Sequence, residues 1–206
     1  MSQGLIQRLI GRVVLVALVV FGVWFAISHY NGVSRFGCQA SGHVVAGVAY
    51  ADGEHCPATV DEASADAQWA ADRLATITRT GSMTTGLFYD EDGIERTFTS
   101  QQDGDSNTAL WVGRQAAVFP NRGRPVVADH VEVKVAAGMR LRGVSTGVLV
   151  INNSSGPCAR NADEAVQPLS CLAIVPKMLP AGTTLVVWWP QPGGPPMSKT
   201  FVGGQQ

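Results

Sequence analysis

A histidine, a glutamate and two cysteines stand in an order that zinc chemistry uses: His130-Val131-Glu132, then Pro157-Cys158, then Cys171. One imidazole and two thiolates suffice to hold a tetrahedral Zn2+ and leave its fourth position open to water. The nearby carboxylate need not bind the metal. It can take a proton from an activated water and return it to a leaving group, which is general acid/base work. Each residue also has an ordinary explanation. A histidine is common at a helix start, and an acid in the first turn suits the helix dipole. Cys158 and Cys171 can close a surface loop as a disulfide in an oxidising compartment. The presence of His130-Val131-Glu132 upstream of the cysteines favours the metal.

These residues need elements to hold them. Val126–Arg142 reads as a helix, with Val131, Val135 and Met139 at spacing four. His130 and Glu132 are two apart, about 200° around such a helix. They cannot share a face in its middle, but both reach one cavity if they lie at its N-terminus. Gly147–Ile151 is a short apolar run, a buried strand, and the NNSSGP turn then delivers Cys158. Ser170–Leu179 reads as a helix stopped by Pro180, and Thr183–Trp189 as a second buried strand. Lys199–Val202 makes a last edge strand. Upstream, Asp61–Ile77 reads as one helix with acids in its first turn. Thr84–Tyr89 and Glu95–Ser100 alternate around a Glu91-Asp92-Gly93 turn, a hairpin. Residues 101–125 are polar and irregular, with Leu110–Phe119 a short helix or strand. Helices alternating with buried strands argue a three-layer α/β fold, a mixed sheet flanked by helices.

The N-terminus is different in kind. Residues 13–27 are apolar apart from Gly22, and the charge-free stretch continues to Ser34. A run of this length spans ~30 Å of hydrocarbon as about 20 helical residues. Arg8 and Arg12 ahead of it place the N-terminus in the cytosol and the remainder outside. A cleavable signal peptide, ending near Ala26-Ile27-Ser28, is the rival. The chain therefore divides into a cytoplasmic N-terminus 1–12, a transmembrane anchor or signal segment 13–30, a juxtamembrane segment 31–60 and a zinc domain 61–206. Its expected location is the membrane, single-pass with an extracytoplasmic C-terminal domain, or secreted after cleavage. Cys38 and Cys56 in an exported protein favour a disulfide. His43 and His55 between them keep a second metal site open.

Net charge is −1, but the signs are unevenly placed. After residue 120 the acids are Asp129, Glu132, Asp163 and Glu164, against Arg122, Arg124, Lys134, Arg140, Arg142, Arg160, Lys177 and Lys199. That excess suits a polyanionic partner and suits a solvated face equally well. Trp188-Trp189 is the aromatic pair to test for base stacking; the other large rings read as core.

The residues now carry a resemblance. The order H-x-E, then Pro-Cys, then Cys is similar to the signature of zinc nucleobase deaminases. The hairpin with its Asp92-Gly93 turn, HVEVKVAAGMR, GVLVINN running into GPC, and CLAIVPKMLPAGTTLVV together resemble the bacterial DddA-like toxins, which deaminate cytosine in double-stranded DNA. The resemblance spans roughly residues 61–206. It implies a cytidine deaminase-like fold with one Zn2+ on His130, Cys158 and Cys171, and Glu132 as the proton shuttle. It places Asn152 and Asn153 near a flipped nucleotide. It implies DNA as substrate, single- or double-stranded, conversion of cytosine to uracil, and an immunity protein as a partner. The sequence departs from C-x-x-C, because ARNADEAVQPLS, twelve residues, separates the cysteines. Two other readings stay open: a deaminase of RNA or a free nucleoside, and a non-catalytic, disulfide-bonded extracytoplasmic domain.

Overall fold

Alternation along the strands builds two cores, one on each face of a single sheet. The computed structural model describes residues 35–38, 56–77, 81–158 and 168–204. The apolar run 13–30, His43 and His55 lie outside these. Among the described residues no helix is long and apolar enough to cross a membrane. The elements in chain order are α1 (Val60–Ala65), α2 (Ala67–Thr76), β1 (Thr85–Tyr89), β2 (Glu95–Thr99) and α3 (Gly104–Gln115). A 3-10 turn at Val126–Asp129 follows, then α4 (Val131–Arg142), β3 (Thr146–Ile151), α5 (Cys171–Met178), β4 (Thr184–Trp189) and β5 (Met197–Val202).

The sheet order is β2-β1-β3-β4-β5. β3 and β4 run parallel, and the other neighbouring strands pair antiparallel. A parallel pair cannot be joined by a tight turn and needs a crossover; α5 supplies it. Phe88, Leu149, Ile151, Leu185, Val187 and Phe201 turn to one face and bury against α3, α4 and α5. Leu87, Tyr89, Val148, Val150, Val186 and Trp188 turn to the other and bury with Phe36, Cys38, Val60 and Trp69. The mixed sheet with helices on both faces is the α/β architecture expected from the sequence.

The second face is clasped from upstream. Cys38 and Cys56 form the disulfide expected of them. Phe36 is fully buried; its carbonyl accepts the Trp69 indole N–H at 3.0 Å. The Trp69 ring lies edge-on to Tyr89, centroids 5.3 Å apart. Packing thus reaches into the stretch before residue 60, which its small-residue composition does not advertise.

Three expectations about helices need correction. The helix expected over Asp61–Ile77 is two helices. Asp66 breaks it with an extended backbone, φ −99° and ψ 99°, and its carboxylate accepts from the N–H groups of Gln68 and Trp69. An Asp that can cap a new first turn competes with helix continuation. The irregular stretch 101–125 contains α3, begun by a reciprocal capping box between Asp103 and Ser106. Finally, the helix expected over Val126–Arg142 breaks at His130, whose φ of −73° and ψ of 141° are extended. The strands fall within a residue or two of their expected bounds, β5 starting earlier at Met197.

Buried Lys134 ties α4 to the hairpin. Its side chain is fully enclosed. The ammonium donates to the carbonyls of Thr99 and Gln101, both at 2.7 Å, and to both Asp103 carboxylate oxygens at 2.8 Å. All three ammonium protons have acceptors, the condition under which a buried charge is tolerated.

Candidate functional site

The break at His130 answers the geometric problem posed by H-x-E. His130 is the N-cap of α4, and Glu132 is its second residue. Leaving the helix, His130 escapes the rotation that would put it on the opposite face. Val131 between them is fully buried. It seats against β1 at Gly86, where an added Cβ would stand 2.7 Å from Val131 Cγ1. Only a glycine in β1 lets the first turn of α4 come this close to the sheet.

Cys158 arrives from the other side. β3 ends at Ile151, and Asn153 then closes a turn. Its amide donates to the Gly156 carbonyl at 2.8 Å, and its Oδ1 accepts from Ser155 at 3.2 Å. Gly156 has φ of +69°, and a Cβ there would lie 2.7 Å from the Trp189 indole. Trp189 therefore props the turn that delivers Cys158, and Trp188 is buried in the opposite core. Neither indole is a free stacking surface. Cys171 is the first residue of α5, whose N-cap is Ser170. The Cys171 N–H donates to Cys158 Sγ at 2.9 Å, and Leu172 N–H to the Cys158 carbonyl at 3.2 Å.

Three donors converge as a result. His130 Nδ1 lies 3.2 Å from Cys171 Sγ, and the two sulfurs are 2.9 Å apart. One donor atom from each residue lies within 4.8 Å of the others. The N-termini of α4 and α5 both end here, and their dipoles favour thiolate. Hydrogen bonding from Cys171, then from His130, pulls the Cys158 thiol down to about 4 against the effect of burial. The contact with Cys158, reinforced by burial, pushes Cys171 up. The hydrogen bond to Cys158 raises His130 in spite of partial burial. Among the described residues no Lys or Arg lines the cavity. An imidazole and two sulfurs so placed are a donor set that fits zinc.

Glu132 is 4% exposed. Burial pushes its carboxyl up to about 7, so it can hold or release a proton near neutrality. It shares a cavity of about 100 Å3 with Thr84, Ser100, His130, Val131, Asn153 and Cys158. Asn152 stands apart from that lining. Its Oδ1 accepts from Thr85 N–H at 2.8 Å, which extends the β1–β3 ladder, and its Nδ2 is buried without a partner.

With the geometry in place, the comparison with known sequences is decisive. The profile of the SCP1.201-like deaminases matches residues 53–205. The chain belongs to the SCP1.201-like deaminase family. No curated protein matches it. An SCP1.201-like deaminase is a hydrolase, and His130, Cys158 and Cys171 form a group able to bind the metal such chemistry uses. The match begins at residue 53, ahead of α1.

Sequence reasoning missed the hairpin's part in this SCP1.201-like site. Thr84 and Ser100 close the open end of the β1–β2 hairpin. Thr84 N–H donates to Ser100 Oγ, and Ser100 N–H to the Thr84 carbonyl, each at 2.8 Å. Both line the cavity together with His130 and Glu132. Their position just outside the paired strands was the available signal, but hydroxyl residues at strand ends are too common to single out.

Proposed function

We propose that the domain removes the exocyclic amino group of cytosine in DNA by zinc-dependent hydrolysis, leaving uracil. The observation that carries this reading is the convergence of His130, Cys158 and Cys171 with buried Glu132 on one small cavity. When bound, zinc supplies the Lewis acidity that makes a water nucleophilic near neutral pH. The chain's own residues do the rest. Glu132 takes the water's proton and delivers it to the departing amine, helped by burial that raises its carboxyl above the ordinary carboxylate range. The cavity is far smaller than the ~300 Å3 at which ordinary ligand pockets begin. Such a space accepts the reacting edge of one base and leaves sugar and phosphate outside, which suits a base swung out of its strand. Asn153, whose side chain also closes the Ser155–Gly156 turn, lines the cavity and is our candidate for a hydrogen bond to that base.

Uracil formation tests the reading. Zinc-loaded protein is incubated with single-stranded DNA, double-stranded DNA, RNA and cytidine. Uracil in DNA is then read by uracil-excision cleavage. Both DNA forms are expected to be converted, the duplex after paying a few kcal/mol to extrude the base. Conversion of cytidine or RNA with both DNA forms untouched replaces this reading with the second one, because the small cavity admits a free nucleoside's base equally well.

The biological role we propose is a toxin directed at other cells and neutralised at home by an immunity protein. Arg8, Arg12 and the apolar run 13–30 support anchoring in a membrane with residues 61–206 outside the cytosol. Release after signal cleavage is the variant of this scheme. Protease added to intact spheroplasts is expected to digest the domain; protection until lysis would refute the topology.

A further inference from the structure

The basic residues after residue 120 do not form one uniform charged face. Lys134 is consumed by Asp103 and two carbonyls. Arg140 donates to the Met178 carbonyl at 2.6 Å and closes the C-terminal end of α5. Arg142, Lys177 and Lys199 are exposed on three separate elements, and exposed Arg122 stands on a loop fastened to the helix that carries an exposed tryptophan.

Asn107, Trp111 and Arg114 follow one another at helical spacing along α3 and share one face. Trp111 is 55% exposed, a large ring with no aromatic neighbour among the described residues. The loop 120–126 is fastened along that same face. Arg114 donates to the carbonyls of Pro120, at 3.3 Å, and Gly123, at 2.7 Å. Arg124 donates back to Asn107 Oδ1 at 3.0 Å and to Ser106 Oγ at 2.6 Å. Arg124 is also paired with Asp129 at 2.5 Å. Arg114 and Arg122 have no acidic partner among the described residues, and Arg122 is exposed. Val126, 75% exposed, ends the loop, and the chain then runs through one 3-10 turn to His130. Trp111 lies only about 7 Å along α3 from Ser106, and Ser106 is bonded to the arginine that holds Asp129, the neighbour of His130.

We infer that Trp111 and Arg122 form a platform for the nucleic-acid strand flanking the target base, one base stacking on the indole while Arg122 meets a phosphate. The inference rests on the nucleic-acid substrate proposed above and names the surface that would hold it. An exposed ring near an exposed guanidinium with no acidic partner among the described residues matches the two chemistries of a single strand, a π-face and an anionic backbone. The loop that carries Arg122 leads through the 3-10 turn to His130.

The test uses the full chain, zinc-loaded and carrying Glu132→Gln so that nothing turns over. Binding of a fluorescein-labelled single-stranded oligodeoxynucleotide with one central cytosine is followed by anisotropy across a salt series. Trp111→Ala is expected to weaken binding about 5- to 100-fold, with Trp111→Phe retaining most of it. Arg122→Gln is expected to reduce the slope of log affinity against log salt by about 1. Zinc content and circular dichroism matching the parent confirm that these exposed substitutions leave the fold intact. Variants that bind as the parent does at every salt concentration overturn the platform and leave the deaminase reading standing. A parent protein that binds no strand at all overturns the nucleic-acid reading itself, and the platform with it.

Discussion

Glu132→Gln is expected to keep a full complement of zinc and to lose about 10²–10⁴-fold in turnover, the usual contribution of a general acid/base. The substitution preserves size and hydrogen-bonding reach in a residue that is 4% exposed, so packing at the start of α4 should persist. It removes only the ability to carry a proton. The metal donors are His130, Cys158 and Cys171, and the carboxylate is not needed among them. Metal analysis and single-turnover uracil formation together separate the two roles. Loss of zinc in this variant would show Glu132 to be a ligand, and unchanged turnover would show the proton to travel elsewhere.

Cys171→Ser is the second large effect, and it acts on folding as well as on chemistry. Cys171 is fully buried in the core under the sheet and opens α5. Its loss leaves two donors, too few for a closed structural contribution from zinc. A metal that binds only the folded state at a thousand times its dissociation constant stabilises by about 4 kcal/mol. The serine variant should lose that increment. Its melting temperature should not rise when zinc is added, whereas the parent's should. Zinc titration under reducing conditions, followed by thermal unfolding, reads both. A parent protein that takes up no zinc with both thiols reduced would end the metal reading. In that case the 2.9 Å approach of the two sulfurs would point to a disulfide.

Much of the site was legible because its parts are local. H-x-E announces a ligand and an acid three residues wide, and Pro157-Cys158 follows a turn whose Asn and Gly are visible as such. The sequence asked that His130 and Glu132 lie at a helix N-terminus but did not show where that helix begins, since its apolar spacing runs from Val126. The answer lies in tertiary packing. Val131 is drawn down onto Gly86 of β1, and His130 falls just outside the first turn. No window of local sequence contains both partners of that contact. The same limit explains α3. Its hydrophobic signal is weak, and the Asp103-Ser106 capping box that starts it lies inside a run of polar residues. The split of the first helix at Asp66 was readable in principle, since an aspartate can cap as well as continue. The spacing of four from Trp69 to Arg73 to Ile77 argues instead for one continuous helix. The long inter-cysteine segment departed from the familiar short spacing, yet the ligands still meet. Cys158 is fixed by the Asn153–Gly156 turn, and Cys171 by its helix.

That last point bears on how such a protein can be re-engineered. The residues on either side of the inter-cysteine segment meet: Cys158 and Cys171 touch through sulfur, and the backbone of Leu172 reaches the Cys158 carbonyl. Lengthening or replacing what lies between them changes the entropy of closing a loop, which grows by only about 0.6 kcal/mol for each doubling of length. The closure, not what it encloses, sets the position of the ligands. A recognition peptide grafted between Ala159 and Ser170 would begin and end beside the two cysteines without asking them to move.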